Sequence, residues 1–280
     1  MSTPRSLHWQ WWATTIGFVL AAGMVFTATR DRFSMATAAM WATAAAIPLG
    51  YVLWFLRDSL ALNRAPETAA LSDGGVRIYP TLGIANGVTV VRGWLFAGVA
   101  GFILVVPPVE SAWRWLPVGW YGIGVTLDLV DGLLAKTIGR RTVLGEKLDM
   151  AFDTLGFLVA PLVGVVWGRI PVWYLSLSAA RYLFKFGCWQ RRQRGRSVGE
   201  LPPSSVRRLL AGIQMAFITV ALLPVVPASA VRPAAAVVLL PSLLLFARDY
   251  LAVAGLLGKE SDRVSKDNNQ TDPPVENIRE

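Results

Sequence analysis

Long apolar runs, separated by short polar stretches, recur from one end of the chain to the other. Eight of these runs are long enough to cross a bilayer, since a helical span needs about 20 residues. Lipid cannot hydrogen-bond to exposed backbone groups, so every span is predicted to be helical. The pattern therefore predicts an all-α integral membrane protein, a polytopic helical bundle. The predicted spans are 12–28, 36–56, 83–106, 117–134, 149–168, 171–188, 208–226 and 233–256.

The polar stretches between these runs divide the chain into three parts. Residues 1–80 hold two N-terminal spans and a polar connecting loop, and residues 81–258 hold a six-span core. Residues 259–280 are polar and charged, and a segment of this kind cannot bury enough apolar surface to fold. We therefore expect two extra spans, a six-helix core and a disordered tail.

Lysine and arginine are distributed unevenly between the predicted loops. If the N-terminus lies inside, the inner loops 57–80, 135–148 and 189–207 hold twelve of these residues, against five in the outer loops. Cytoplasmic loops of membrane proteins carry such an excess. The distribution predicts that both termini and the C-terminal tail are cytoplasmic, in a protein of the cell (inner) membrane.

Composition narrows the function further. Hydrophobic residues make up 54% of the chain and charged residues 16%, against roughly 25% charged in an ordinary soluble domain. The net charge of +9 fits basic loops in contact with membrane lipids or phosphorylated substrates, and no nucleic-acid-binding module is recognisable. With one cysteine and one histidine, any metal must sit on carboxylates, which suit magnesium, manganese or calcium.

Four aspartates lie within or beside apolar runs, where ionisable groups are costly and usually functional. Asp128 and Asp131 are three residues apart, and Asp149 and Asp153 are four apart, so each pair shares one helix face. The short intervening loop makes their helices antiparallel neighbours, and the two pairs can face each other. Converging carboxylates repel one another. Divalent cations would relieve that repulsion, as in two-metal phosphoryl-transfer sites; an ion pathway of a carboxylate-dependent transporter is the alternative.

The segment between the aspartate pairs has a recognisable pattern. It reads D-x2-D-G-x2-A-K-x8-G-x3-D-x3-D, with Gly132, Ala135, Lys136 and Gly145 between the acids. The pattern resembles the signature of the CDP-alcohol phosphatidyltransferase family, in particular integral membrane enzymes like phosphatidylglycerophosphate and phosphatidylinositol-phosphate synthases. Lys136 stands where the family usually has arginine, which keeps the charge but loses the bidentate fork. Asn86, Thr89 and Arg92 also resemble a run that begins the family's first core helix.

This resemblance implies an enzyme of phospholipid biosynthesis. It would transfer a phosphatidyl group from a CDP-diacylglycerol-type lipid to an alcohol acceptor and release CMP. The same aspartates serve relatives that transfer a phosphoalcohol from a soluble CDP-alcohol to diacylglycerol, and that direction stays open. Membrane lipids and a second copy of the chain, in a homodimer, are the expected partners, and the active site is expected at the cytoplasmic face.

The resemblance also implies roles for individual residues. Two divalent ions, Mg²⁺ or Mn²⁺, would be bound by Asp128, Asp131, Asp149 and Asp153, and Asp153 would be the general base. The CDP-lipid would be contacted by Asn86, Thr89, Gly132, Ala135, Lys136, Thr142 and Gly145.

A site for the acceptor is predicted from three basic residues in spans. Arg92 lies well inside its span, and Arg181 and Lys185 are four apart near the inner end of the sixth span. That span contains no acidic residue, so a phosphate on the acceptor would supply the missing negative charge. In the alternative interpretation these side chains extend to lipid phosphates at the interface.

Overall fold

Helices account for nearly all of the regular structure in the described parts of the chain. The computed structural model describes residues 3–66, 78–137, 141–196, 198–199 and 204–255, with the backbone alone for 131–137. Within these residues there is no β-strand, only one antiparallel bridge between Arg64 and Ile78. The α-helices are α1 (Arg5–Arg32), α2 (Met35–Ser59), α3 (Gly83–Ala100), α4 (Trp115–Thr137), α5 (Val143–Val166), α6 (Ser176–Gln193), α7 (Ser205–Leu222) and α8 (Ala228–Val253).

The predicted all-α membrane architecture is confirmed. Six helices are long and apolar enough to cross a bilayer, namely α1, α2, α3, α5, α7 and α8. The side chains at the end of α4 are not described, and α6 is more polar, with arginines in its last turn. The predicted number of eight spans and the orientation of the termini stay predictions, and the tail 259–280 lies outside the described residues.

Helix α5 begins earlier than the apolar pattern indicated. It starts at Val143 rather than near Asp149, and α4 continues to Thr137. Thr142 is the N-cap, and its Oγ1 accepts a hydrogen bond from the amide of Gly145 at 3.0 Å, as N-cap threonines commonly do. A buried stripe at helical spacing supports the added turns; it consists of Leu144, Leu148, Phe152 and Leu155. Asp149 and Asp153 therefore lie inside a helix.

Close helix contacts organise the first of two compact units, which comprises residues 1–175 and 213–236. Phe96 of α3 is 2% exposed. Its ring lies so near Gly124 of α4 and Gly156 of α5 that a Cβ at either glycine would overlap it. Small residues let membrane helices approach in this way. This packing fixes α3 against both α4 and α5.

The two N-terminal helices belong to the same compact unit as α3, α4 and α5. Trp11 of α1 donates from Nε1 to the carbonyl of Leu53 in α2 at 2.9 Å, and Arg57 lies over the Trp11 ring, 5.1 Å from its centre. The side chain of Gln10 accepts from the amide of Leu82 at 2.9 Å. Helix α1 therefore holds both α2 and the residue that precedes α3. The predicted division after residue 80 stays a prediction.

The described residues of the second unit fall within 176–212 and 237–255. Gly187 of α6 lies directly against the ring of Tyr250 in α8, where a Cβ would overlap the ring. Arg207, in the first turn of α7, forms an ion pair with Asp249 of α8 at 3.5 Å. Aromatic packing and an ion pair thus join the helix segments of this unit.

Candidate active site

Three helices of the first unit bring one arginine and three aspartates together. Arg92 of α3 donates from Nη1 to Oδ1 of Asp128 on α4. Its Nη2 donates to Oδ1 of Asp149 at 2.6 Å and to Oδ1 of Asp153 at 2.9 Å, both on α5. We call Arg92, Asp128, Asp149 and Asp153 the charged cluster. A single guanidinium, with its planar fork of donors, therefore contacts all three carboxylates.

Burial differs sharply within the charged cluster. The side chain of Arg92 is fully buried, whereas those of Asp128, Asp149 and Asp153 keep 28%, 44% and 23% of their surface exposed. An isolated cation in an apolar span would be costly, so the carboxylates stabilise the buried guanidinium. Their exposed sides remain accessible to an ion or a substrate.

The three carboxylates fit a divalent cation. One oxygen each from Asp128, Asp149 and Asp153 lies within 4.8 Å of the others. Carboxylate oxygens are the donors that magnesium and manganese favour. With all three acids ionised, Arg92 leaves two negative charges uncompensated, which matches the charge of one such ion. The aspartates that the sequence analysis selected could therefore hold a metal ion.

Four of the predicted site residues lie outside the described side chains. Asp131 belongs to α4 by its backbone, but its side chain, like those of Gly132, Ala135 and Lys136, falls in the stretch that is not described. Their predicted roles in binding metal and CDP-lipid stay predictions.

A second, uncharged set of buried side chains joins the beginnings of α3 and α5. The Nδ2 of Asn86 is 3.1 Å from Oγ1 of Thr142 and 3.2 Å from Oδ1 of Asn63. Asn86 and Thr142 are each 4% exposed, and Asn63 is fully buried. We call Asn63, Asn86 and Thr142 the amide cluster. Its polar atoms bond to one another and to nearby backbone, as buried polar groups must.

Gly145 is required where α5 passes the amide cluster. A Cβ at this position would lie 2.6 Å from Oδ1 of Asn86 and 3.3 Å from Oγ1 of Thr142. Thr89, one turn further along α3, is 4% exposed, and its hydroxyl donates to the carbonyl of Ala85 at 3.1 Å. The structure thus gives Asn86, Thr142 and Gly145 a role in packing. Their predicted contact with CDP-lipid stays a prediction.

The basic residues predicted to bind the acceptor fall in different parts of the fold. Arg92 lies in the charged cluster of the first unit, whereas Arg181 and Lys185 lie on α6 in the second unit. The side chain of Lys185 is exposed and that of Arg181 is half-buried. No acidic residue occurs in α6. The acceptor role of all three stays a prediction.

Sequence reasoning missed two features of the site. It assigned Arg92 to the acceptor and did not identify it as the partner of the aspartates. A useful signal was present, because an arginine deep in an apolar span needs a carboxylate nearby. It also gave no role to Asn63, which lies in a polar loop and has no sequence feature that marks it as buried.

Fold and site together define an integral membrane protein whose helices bring carboxylates to a candidate metal site. The family model described as CDP-alcohol phosphatidyltransferase matches residues 82–248, more than half of the chain. The protein therefore belongs to the CDP-alcohol phosphatidyltransferase family, which confirms the resemblance seen in the sequence. Comparisons with curated proteins and with solved structures find no match.

Membership in this family indicates a transferase that acts on a CDP-activated alcohol. Such enzymes transfer a phosphoalcohol or phosphatidyl group, and the reacting partners include a lipid of the membrane. The match includes Arg92, Asp128, Asp149 and Asp153. The charged cluster is thus the candidate active site.

Proposed function

We propose that this protein transfers a phosphatidyl group from a CDP-diacylglycerol-type lipid to an alcohol and releases CMP. The observation that carries the proposal is the charged cluster. Three carboxylates from two helices converge within 4.8 Å inside the family match, and their outer sides remain exposed. A site with uncompensated negative charge can bind the diphosphate of such a lipid when divalent cations are bound between them.

Asp153 is the proposed general base. The acceptor hydroxyl would lose its proton to the Asp153 carboxylate while its oxygen bonds to the phosphorus that carries diacylglycerol. The bond between that phosphorus and the bridging oxygen would break, and CMP would leave with that oxygen. Arg92 would hold Asp153 in place, because its Nη2 lies 2.9 Å from the aspartate Oδ1. A base held in this way is positioned before the substrate arrives.

Asp128, Asp149 and Asp153, together with Asp131, are the residues that we propose to hold divalent metal. When bound, Mg²⁺ or Mn²⁺ would neutralise the diphosphate and the carboxylates. Two ions are proposed because four acids are available. Removal of the metal with EDTA should abolish CMP release, and added Mg²⁺ or Mn²⁺ should restore it. Activity that persists in stripped protein with chelator would contradict this part of the proposal.

The acceptor is proposed to carry a phosphate. Arg181 and Lys185 lie four residues apart on α6, which has no acid of its own, and charged groups bind phosphate by strong hydrogen bonds. Arg181→Ala should therefore raise the KM for a phosphorylated acceptor much more than the KM for CDP-lipid. Exposed Arg208→Ala, on α7, is the control. Efficient turnover of an unphosphorylated alcohol, with none of its phosphate ester, would contradict this assignment.

We further propose that the reaction occurs at the cytoplasmic face of the cell (inner) membrane, with both termini in the cytoplasm. The bias of twelve lysines and arginines over five between the predicted loops supports this orientation. Formation of a homodimer stays a prediction.

Release of CMP tests the direction of transfer. Purified protein would be incubated with radiolabelled CDP-diacylglycerol and a panel of alcohols and their phosphates, with Mg²⁺ or Mn²⁺. In parallel, CDP-choline or CDP-ethanolamine would be offered with diacylglycerol. The proposal expects CMP and a new phospholipid only in the first arm. Product in the second arm alone would establish the opposite direction, and ion flux without CMP in either arm would indicate a transporter.

A further inference from the structure

Asn63 forms hydrogen bonds between the N-terminal part of the chain and the beginning of α3. This residue follows the 3-10 helix Leu60–Leu62, lies before the first residue of the family match and is fully buried. Its Nδ2 donates to the carbonyls of Tyr79 at 3.1 Å and Thr81 at 2.8 Å. Its Oδ1 lies 3.2 Å from Nδ2 of Asn86. Both donors and the acceptor of the amide are therefore used, and they fix the approach to α3.

The same stretch also holds the beginning of α5. The carbonyl of Arg64 accepts a hydrogen bond from the amide of Val143, the first residue of α5, at 3.0 Å. Asn86, which contacts Asn63, also bonds to the N-cap Thr142. The first amides of a helix have no partner within the helix. Residues 63 and 64 thus supply part of the cap of α5 while they hold α3.

This arrangement sets the relative position of two helices that carry the charged cluster. Arg92 lies six residues after Asn86 along α3, and Asp149 lies seven residues after Thr142 along α5. At 1.5 Å per residue these separations are about 9 and about 10.5 Å. Over such distances a closely packed helix moves nearly as a rigid body, because protein interiors have low compressibility. A shift at the amide cluster would therefore move Arg92 relative to Asp149 and Asp153.

We propose that Asn63 is a positioning residue for the active site. It holds the beginnings of α3 and α5 in register, and so keeps the guanidinium of Arg92 against the carboxylates of α5. The N-terminal segment would thereby supply part of the site that the family match does not include. This inference rests on the proposed function, and its test separates it from a role in stability alone.

The principal variant is Asn63→Leu, which keeps the number and branching of the side-chain heavy atoms and removes every side-chain hydrogen bond of Asn63. The matched control is Leu60→Ala, because Leu60 is 1% exposed, lies in the same segment and has a side chain that cannot form hydrogen bonds. Thermal unfolding of both proteins would show how far each is destabilised. Asn63→Asp, in which a second acceptor oxygen replaces the amide nitrogen and both donors are lost, serves if the leucine variant does not fold.

We expect Asn63→Leu to lower kcat by about 10- to 100-fold with little change in KM for CDP-lipid, since displacements near 1 Å can cost this much. Leu60→Ala should retain nearly normal kcat at a temperature where it is folded. Binding of Mn²⁺, measured by electron paramagnetic resonance, should weaken about tenfold in Asn63→Leu and remain normal in the control, because only the former alters the carboxylate spacing.

A second set of variants tests whether the effect passes through the amide cluster. Thr142→Val removes the hydroxyl that bonds to Asn86 and should resemble Asn63→Leu both in kcat and in Mn²⁺ binding. The double variant Asn63→Leu/Thr142→Val should lose little more than either single variant, because both break one network. Fully additive losses would overturn the inference.

The outcomes separate this inference from the proposed function. If the wild-type protein releases CMP and binds Mn²⁺, while Asn63→Leu and Leu60→Ala lose activity only in proportion to their loss of melting temperature, Asn63 is merely structural. If the wild-type protein releases no CMP from any substrate, the proposed function fails. In that case, the selective loss of Mn²⁺ binding in Asn63→Leu would still support the positioning role, and normal binding would overturn it.

Discussion

Two sets of polar side chains join α3 to α5, and they differ in charge and in exposure. The amide cluster is neutral, and its three side chains are each at most 4% exposed. The charged cluster buries Arg92 completely but leaves between 23% and 44% of each aspartate side chain exposed. The amide cluster is buried within the protein, whereas the carboxylates of the charged cluster are partly exposed.

This difference separates a structural role from a chemical one. In the amide cluster each hydrogen bond lies inside the protein, so the cluster can fix geometry but has little left to offer a substrate. In the charged cluster the guanidinium is paired with three carboxylates, and the acids retain uncompensated charge and accessible surface. An arrangement of that kind favours binding of a cation and a phosphorylated substrate. The amide cluster thus fixes the packing of α3 against α5, and the charged cluster, on neighbouring turns, offers groups for binding and chemistry.

The largest effect is expected from Asp153→Asn, which removes a proposed proton acceptor from the open side of the charged cluster. Asparagine keeps the size but cannot take the proton, and loss of a general base costs on the order of 10²–10⁴ in rate. Turnover should fall by that factor while CDP-lipid binding persists, measured by CMP release and by ligand binding. Asp58→Asn, an exposed acid on α2, is the control. Near-normal turnover would remove Asp153 from the mechanism.

A smaller effect is expected from Arg92→Lys. Lysine keeps the positive charge but has one nitrogen, so it cannot place separate donors against Asp128 and the two acids of α5. We expect activity to fall about tenfold, which corresponds to about 1.4 kcal/mol of transition-state stabilisation. Arg57→Lys, outside the charged cluster, should leave activity unchanged. Full activity of Arg92→Lys would mean that charge alone matters and that the bridging geometry does not.

The smallest effect is expected beside the amide cluster, from Gly145→Ala. The added Cβ would lie 2.6 Å from Oδ1 of Asn86, and such overpacking costs about 1–3 kcal/mol. Alanine recovers about 0.8–1 kcal/mol through its helix propensity, so a net loss near 1 kcal/mol is expected in thermal unfolding. Gly50→Ala has open space around it and should instead be neutral or stabilising. Equal melting temperatures for the two variants would argue against the close approach.

Local patterns were sufficient to predict the helices and to select the aspartates as site candidates. Apolar runs of span length predict membrane helices because the bilayer imposes that length. The spacing of Asp149 and Asp153 places both acids on one face of α5 whatever surrounds them. The start of α5 was predicted too late, since the polar residues before Asp149 obscured the N-cap Thr142 and the stripe of buried leucines at 144 and 148.

Contacts between distant parts of the chain could not be predicted in the same way. Arg92 is 36 residues from Asp128 and 61 from Asp153, and its choice of partner depends on how three helices pack. Asn63 is 23 residues from Asn86 and lies in a loop where asparagine is ordinarily solvated. Asn63 is buried because α2 and α3 pack together, and this packing cannot be predicted from the residues next to Asn63.

The bridge between Arg64 and Ile78 has a consequence for how this chain can change in length. The backbone of Tyr79 also donates to the carbonyl of Asn63 at 2.7 Å, so the two ends of the intervening segment are joined irrespective of its length. Closing a longer loop costs little, about 0.6 kcal/mol for each doubling. Residues inserted between the bridged positions should therefore leave the hydrogen bonds of Asn63 intact. Chain length at this position should therefore vary without a change in the register of α3 and α5.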